Sequence, residues 1–277
     1  MFFKRSPAVA SITSTWIDDK ALEALAARYR GWPLTDISYA TVRDFVDSYE
    51  AIAPLTTAQG DLKDVQRPWT LKAVIGNTPP GGKVLEIGGG QPYVADLLAR
   101  LGYEVWLVDP YDGSGNGPVE FETYRKASPK VRFVRALFDD KLDALQPGSL
   151  DCIYSISVLE HVPDDGLRGV FAGQRRFLKP GGVAIHAVDH VHKGNGADSH
   201  LAKLRFMVEG FGLSTAKLDD VLSAMDHDIE TYYLSAESHN RWRGNMRYED
   251  FPMRVCPSIQ LFADARTLRD AQVTASA

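Results

Sequence analysis

The sequence predicts an α/β fold: a mostly parallel seven-stranded sheet with helices on both faces and a helical addition at the N-terminus. Three observations carry this. Between about residues 80 and 190, short apolar runs alternate with amphipathic stretches, the pattern of strands joined by crossover helices. The runs are apolar at nearly every residue, as strands covered on both faces are. The first run, KVLEIG, passes through GGQP straight into YVADLLARLG, a strand, a glycine turn and a helix.

Taken in order, residues 1–75 read as a helical cap or lid. DDKALEALAARYR places Leu22, Leu25, Ala26 and Tyr29 on one face behind Asp18 and Asp19. SYATVRDFVDSYEAI places Val42, Phe45, Val46 and Tyr49 at helical spacing. A third helix is predicted over LKDVQRPWTLKAVIG, with a break or kink at Pro68. Residues 76–277 form the core. Strands are predicted at 83–88, 104–109, 131–135, 151–156 and 182–188. PYVADLLARLG and DDGLRGVFAGQRRFL are helices between them, and LKPGG stops the second. Residues 190–277 form the acceptor side. There HLAKLRFMVEGF and TAKLDDVLSAMD read as helices, and DIETYYLS and PSIQLFADA as the last two strands. The intervening polar, aromatic segment is longer than an ordinary hairpin loop, which marks it as functional.

Composition narrows the classes. The 277 residues are 44% apolar and 24% charged, ordinary for a soluble globular chain. A net charge of -5 and a pI near 5.8 argue against a nucleic-acid binder. Cys152 and Cys256 form no CxxC pair, so neither a cysteine zinc site nor a redox pair is expected, and a reducing cytoplasm fits. The N-terminal MFFKRSPAVASITSTW lacks the apolar stretch of a secretory signal. No run reaches the ~18 apolar residues of a membrane helix. The sequence is compatible with a homo-oligomer.

The glycine turn indicates the ligand. A dinucleotide site wants GxGxxG. Here Gly88, Gly89 and Gly90 are followed by Tyr93 where the third glycine would fall, and Glu86 stands two residues before the first. A carboxylate repels a pyrophosphate but suits an amino group or a sulfonium. The second strand ends in VWLVDP, so Asp109 stands at its tip, where a carboxylate accepts from both ribose hydroxyls of an adenosine. Alone it would read as a turn aspartate; beside this glycine loop it reads as a ribose ligand.

VLEIGGGQP, VWLVDP, LDCIYSISVLEHVPD and FLKPGGVAIH, in that order, resemble the motifs of the class I S-adenosylmethionine-dependent methyltransferases. The resemblance covers about residues 80 to 190 and implies the Rossmann-like fold and the cofactor S-adenosylmethionine. It implies that Glu86 orients the loop near the methionine amino group, that Gly88, Gly89 and Gly90 let backbone approach the cofactor, and that Asp109 holds the ribose. Leu137 and Phe138 would flank the adenine, and Ser155 would sit by the methionine end. Pro92 stands where the family often has glycine, and Leu137 where it often has an acid; Asp139 or Asp140 could replace that acid.

Methyl transfer to an alcohol needs a general base, and histidine suits that role near neutral pH. Four of the seven histidines lie in HAVDHVHKGNGADSH, at the carboxyl end of the fifth strand. His190 is the expected base, with Asp189 or His192 as second choices. Glu160 and His161 are expected in the acceptor pocket wall; a Mg²⁺ site built from such carboxylates with Asp189 or Asp198 is subordinate, and no metal ligand set is assigned. His239, Arg241 and Trp242 would meet the acceptor, since arginine forks bind carboxylates and phosphates and tryptophan stacks on rings. The expected activity is O-methylation of a small-molecule or sugar-containing, glycan-like acceptor. N- or C-methylation of a small metabolite, a catalytically inactive partner subunit, and a nicotinamide-dependent oxidoreductase are the alternatives.

Overall fold

A computed structural model describes residues 17–57, 60–114, 117–234 and 255–275. Its strands are β1 (Ile37–Tyr39), β2 (Lys83–Ile87), β3 (Glu104–Val108), β4 (Arg132–Val134), β5 (Leu150–Ile156), β6 (Leu178–Asp189) and β7 (Ser258–Asp264). They form one seven-stranded sheet in the order β1-β7-β6-β5-β2-β3-β4. The ladders from β6 through β5, β2 and β3 to β4 are parallel, and β7 runs antiparallel to both β6 and β1. This is the Rossmann-like α/β architecture the sequence predicts.

The helices are α1 (Asp19–Tyr29), α2 (Val42–Thr56), α3 (Lys63–Asn77), α4 (Tyr93–Arg100), α5 (Phe121–Ala127), α6 (Asp164–Phe177), α7 (Ala197–Gly210), α8 (Thr215–His227) and α9 (Ala265–Ala275). Strand residues alternate between two cores. Val84, Val105, Cys152, Tyr154 and Ile185 pack with residues of α1, α3 and α4. Leu85, Val108, Ile153, Ala184 and Leu261 pack with residues of α6, α7 and α9 on the other face. Each fully buried aliphatic side chain contributes about 1.5–3 kcal/mol, so burial on both faces selects the near-continuous apolar runs. Cys152 and Cys256 are free and buried.

The helix ends follow from local chemistry. Asp18 caps α1 by accepting from the Ala21 N–H at 2.9 Å. Thr41 and Asp44 make a reciprocal capping box at the start of α2.

Three expectations need correction. DIETYYLS is not a strand of the sheet; Thr231 and Tyr233 make isolated bridges to Thr41 and Pro257. The seventh strand is β1, drawn from a segment predicted to be helical, because Ile37 and Tyr39 register against Leu261 and Ile259 of β7. α3 runs unbroken through Pro68. The kink lies in α2 instead, at Ile52 (φ -154, ψ 53), two residues before Pro54. Helices α5 and α9 are not predicted by the sequence.

Candidate active site

The site lies at the carboxyl ends of β2, β3, β5 and β6. Gly88 follows β2 in the left-handed region (φ 65), and its N–H donates to the Val108 carbonyl at 2.8 Å. A side chain there would be strained. At Gly89 a Cβ would stand 2.7 Å from the Glu86 carboxyl carbon, so glycine is what lets that carboxyl fold beneath the loop.

Glu86 is buried and accepts from the Tyr154 hydroxyl at 3.0 Å. The Ala95 N–H, in the first turns of α4, also donates to it. Burial pushes its pKa up to about 7, against those donors and the nearby Arg67 guanidinium. Arg67, on α3, stacks over the Tyr93 ring at 4.1 Å. Its Nη1 is buried and has no hydrogen-bond partner among the described residues. Tyr93, which breaks the dinucleotide pattern, is thus the platform for a buried guanidinium.

Asp109 follows β3 directly and is buried. Its Oδ2 accepts from the Gly90 N–H at 3.1 Å and its Oδ1 from the Tyr111 N–H at 2.7 Å. Desolvation raises its pKa, against those two bonds. The Tyr111 hydroxyl donates to the Gly90 carbonyl at 2.8 Å.

A second polar cluster forms the rim where β5 and β6 end. Asp189 Oδ1 accepts from Gln66 Nε2 at 2.8 Å, and its Oδ2 from the Ser157 hydroxyl at 3.2 Å. Lys63 Nζ donates to Ser157 Oγ at 3.0 Å. Ser157 is itself held at a positive φ of 53. The Asp189 N–H donates to Glu160 Oε1 at 3.0 Å, while Glu160 Oε2 is buried without a partner among the described residues. Burial pushes the Glu160 pKa up to about 8, and the Asp189 charge adds to that. His161 Nε2 stands 3.9 Å from Glu160 Oε1, with its side chain 54% exposed. Desolvation lowers the His161 pKa, against the pull of Asp189.

His190 is only 2% exposed, and burial lowers its pKa to about 4. Its Nδ1 has no partner among the described residues. His192 Nε2 pairs with Asp226 Oδ1 at 2.8 Å. Ser155 faces the opposite core, with Oγ 2.8 Å from His186 Nδ1, while His186 Nε2 meets Gln174 Nε2 at 2.8 Å. Leu137 is 74% exposed, whereas Phe138 is buried against Phe177. His239, Arg241 and Trp242 lie outside the described residues. Among the described residues no group of three or more His, Cys, Asp or Glu side chains could hold a metal ion. No described helix is long and apolar enough to cross a membrane.

Sequence reasoning missed Lys63, Gln66, Arg67, Ser157 and Tyr111. The first three were assigned to a helix with no functional mark. Their polar side chains on a helix entering the core at QRPW are the signal that was available.

Residues 63–271 match the family model described as a methyltransferase domain. A ubiquinone biosynthesis O-methyltransferase from Xanthomonas campestris is 33% identical over 108 residues, 38% of this chain and 41% of that protein. An uncharacterized methyltransferase from Mycobacterium sp. (strain JLS) is 35% identical over 114 residues, 41% of each chain. The chain therefore spans 41% of the length of these curated relatives. The crystal structure of geranyl diphosphate C-methyltransferase from Streptomyces coelicolor A3(2) is 14% identical and covers 88% of this chain and 98% of its own, with a TM-score of 0.47.

Proposed function

This chain belongs to the class I S-adenosylmethionine-dependent methyltransferases, and from that premise we propose that it methylates a hydroxyl oxygen of a small-molecule acceptor, glycan-like ones included, with a rim imidazole as general base. The residues present fit the cofactor. Asp109 keeps lone pairs beyond its two backbone bonds, as a ribose ligand must. The orphaned Arg67 Nη1 lies in the field of Glu86, so a buried cation and a buried acid stand together where a zwitterionic amino-acid end would bind. Asp109 would hold the ribose, Arg67 the carboxylate, and the Gly88–Gly90 backbone the remainder. When bound, S-adenosylmethionine supplies an electrophilic methyl on a sulfonium.

The chain's own task is to orient the acceptor and remove its proton. His161 would take the acceptor's hydroxyl proton, while the bound cofactor would supply the methyl, whose bond to sulfur would be exchanged for one to the acceptor oxygen. The observation that carries the base assignment is the half-exposed His161 beside Glu160. A base must reach its acceptor, and the buried His190 does not meet that condition as His161 does. The oxygen as target gains support from the similarity to a ubiquinone biosynthesis O-methyltransferase.

Calorimetric titration with S-adenosylmethionine, S-adenosylhomocysteine and NAD is the first test, followed by transfer of labelled methyl to phenols, catechols and sugars. Binding of the first two ligands, lost in Asp109→Ala, is the expected result. Binding of NAD alone overturns the proposal, and label recovered on nitrogen or carbon overturns its oxygen preference.

A further inference from the structure

We propose that Tyr111 is a positioning residue that sets cofactor affinity by closing a hydrogen-bonded ring through Asp109 and Gly90. The inference rests on the reading of Asp109 as the ribose ligand. The ring has three bonds: Gly90 N–H to Asp109 Oδ2 at 3.1 Å, Tyr111 N–H to Asp109 Oδ1 at 2.7 Å, and Tyr111 hydroxyl to Gly90 carbonyl at 2.8 Å. It ties the loop after β2 to the loop after β3. Each carboxylate oxygen is gripped from a different loop, so the plane of the carboxylate is fixed before any ligand arrives. Fixed acceptors bind more tightly than mobile ones because less freedom is lost on binding.

Two further observations mark Tyr111 as held in place. Its backbone is in the left-handed region, φ 49, which a bulky residue adopts only where the surroundings over-determine it. Its ring is 1% exposed and meets Phe121 edge-on at 5.2 Å. Burial, with the Asp109 and Glu86 charges, pushes the hydroxyl's pKa far above the ordinary tyrosine value, so it stays a donor to Gly90 at every working pH. Packing alone would be served by phenylalanine; the hydroxyl is needed only for the ring.

Tyr103 provides the control. It is another buried tyrosine, at the opposite end of β3, whose hydroxyl donates to the Thr78 carbonyl at 3.4 Å. Calorimetry with S-adenosylhomocysteine compares wild type, Tyr111→Phe, Tyr103→Phe, Asp109→Asn and the Asp109→Asn/Tyr111→Phe double variant. The expected result is a loss of about five-fold in affinity for Tyr111→Phe, the size of one hydrogen bond, and no change for Tyr103→Phe. In the Asp109→Asn background the Tyr111→Phe effect should shrink below about two-fold, because the two residues act as one unit. Hydrogen exchange of the Gly90 amide should quicken in ligand-free Tyr111→Phe while that of Leu85 does not. Wild-type affinity in Tyr111→Phe, the full loss persisting without Asp109, or unchanged Gly90 exchange overturns the inference. Wild-type protein that binds neither S-adenosylhomocysteine nor S-adenosylmethionine overturns the cofactor reading as well.

Discussion

Glu160 enters the rim with one oxygen bonded and the other bare. Its folded pKa of about 8 lies above the ordinary value of 4.5. The folded state therefore binds more protons than the unfolded state across that window. The stability this group contributes is complete below about pH 4.5 and is lost as pH rises through about 8. Glu160→Gln should remove that fall, so urea titrations should show the variant gaining on wild type as pH climbs through the window. For catalysis, His161→Ala should lower kcat by about 10²-fold in a labelled-methyl assay, while His190→Ala should act mainly on stability. The grouping of Glu86, Gly88–Gly90 and Asp109 was legible because these residues sit on strand ends whose apolar runs are local. The rim was not. Lys63 and Ser157 lie 94 residues apart and Gln66 and Asp189 lie 123 apart, and no local pattern records such a meeting. His190 was singled out by its neighbours in sequence; in the fold it is buried, and its N–H donates to the Pro257 carbonyl at 3.1 Å.

At the scale of elements, α3 packs both on α2 and on the strands β5 and β6. Its far half carries Lys72, with a side chain 1% exposed and Nζ bonded to Asp47 Oδ2 at 3.0 Å and Ser48 Oγ at 2.9 Å. Desolvation lowers the Lys72 pKa, and Asp47 opposes it. Tyr29 and Trp32 cover the same ammonium at 5.0 and 5.1 Å. Lys72→Ala should cost about 2–3 kcal/mol, less than a fully buried pair because Asp47 is partly solvated, and Lys72→Met should recover part of it in the same denaturation experiment. The helical period of α3 was plain from sequence, but a lysine within it reads as a solvated face. A second element contact is equally specific: a Cβ on Gly210 of α7 would fall 2.1 Å from Phe171 on α6. Gly210→Ala should cost about 1–3 kcal/mol by overpacking, seen as a lower urea midpoint at unchanged slope.

For the whole molecule, the parallel strands were readable from alternation up to β6, since apolar runs alternating with helices imply right-handed crossovers. The edge was not. A three-residue strand such as ISY carries almost no periodic signal, and the polar Asp228 and Glu230 did not prevent DIETYYLS from imitating one. What decides between them is the partner: β7 offers Leu261 and Ile259 to Ile37 and Tyr39. Ile37, 2% exposed, anchors that seal. Ile37→Asp places a charge in the core and uncovers the β7 edge, so loss of solubility on mild heating is the expected outcome, measured by light scattering.

That seal also sets a timetable. The Ser38 hydroxyl bonds to Gln260 Oε1 at 3.0 Å across 222 residues, among the most distant pairings in the chain. On the ribosome β1 emerges 222 residues before its partner exists. At about 5–20 residues per second that wait is on the order of ten to forty seconds. The capped α1 and α2 can form during it, but the ISY strand stays single until β7 is made and closes the sheet against it. Contacts of such long loop closure are slow to form, so pulse-labelling of nascent chains should find residues 36–40 unprotected until synthesis passes residue 264.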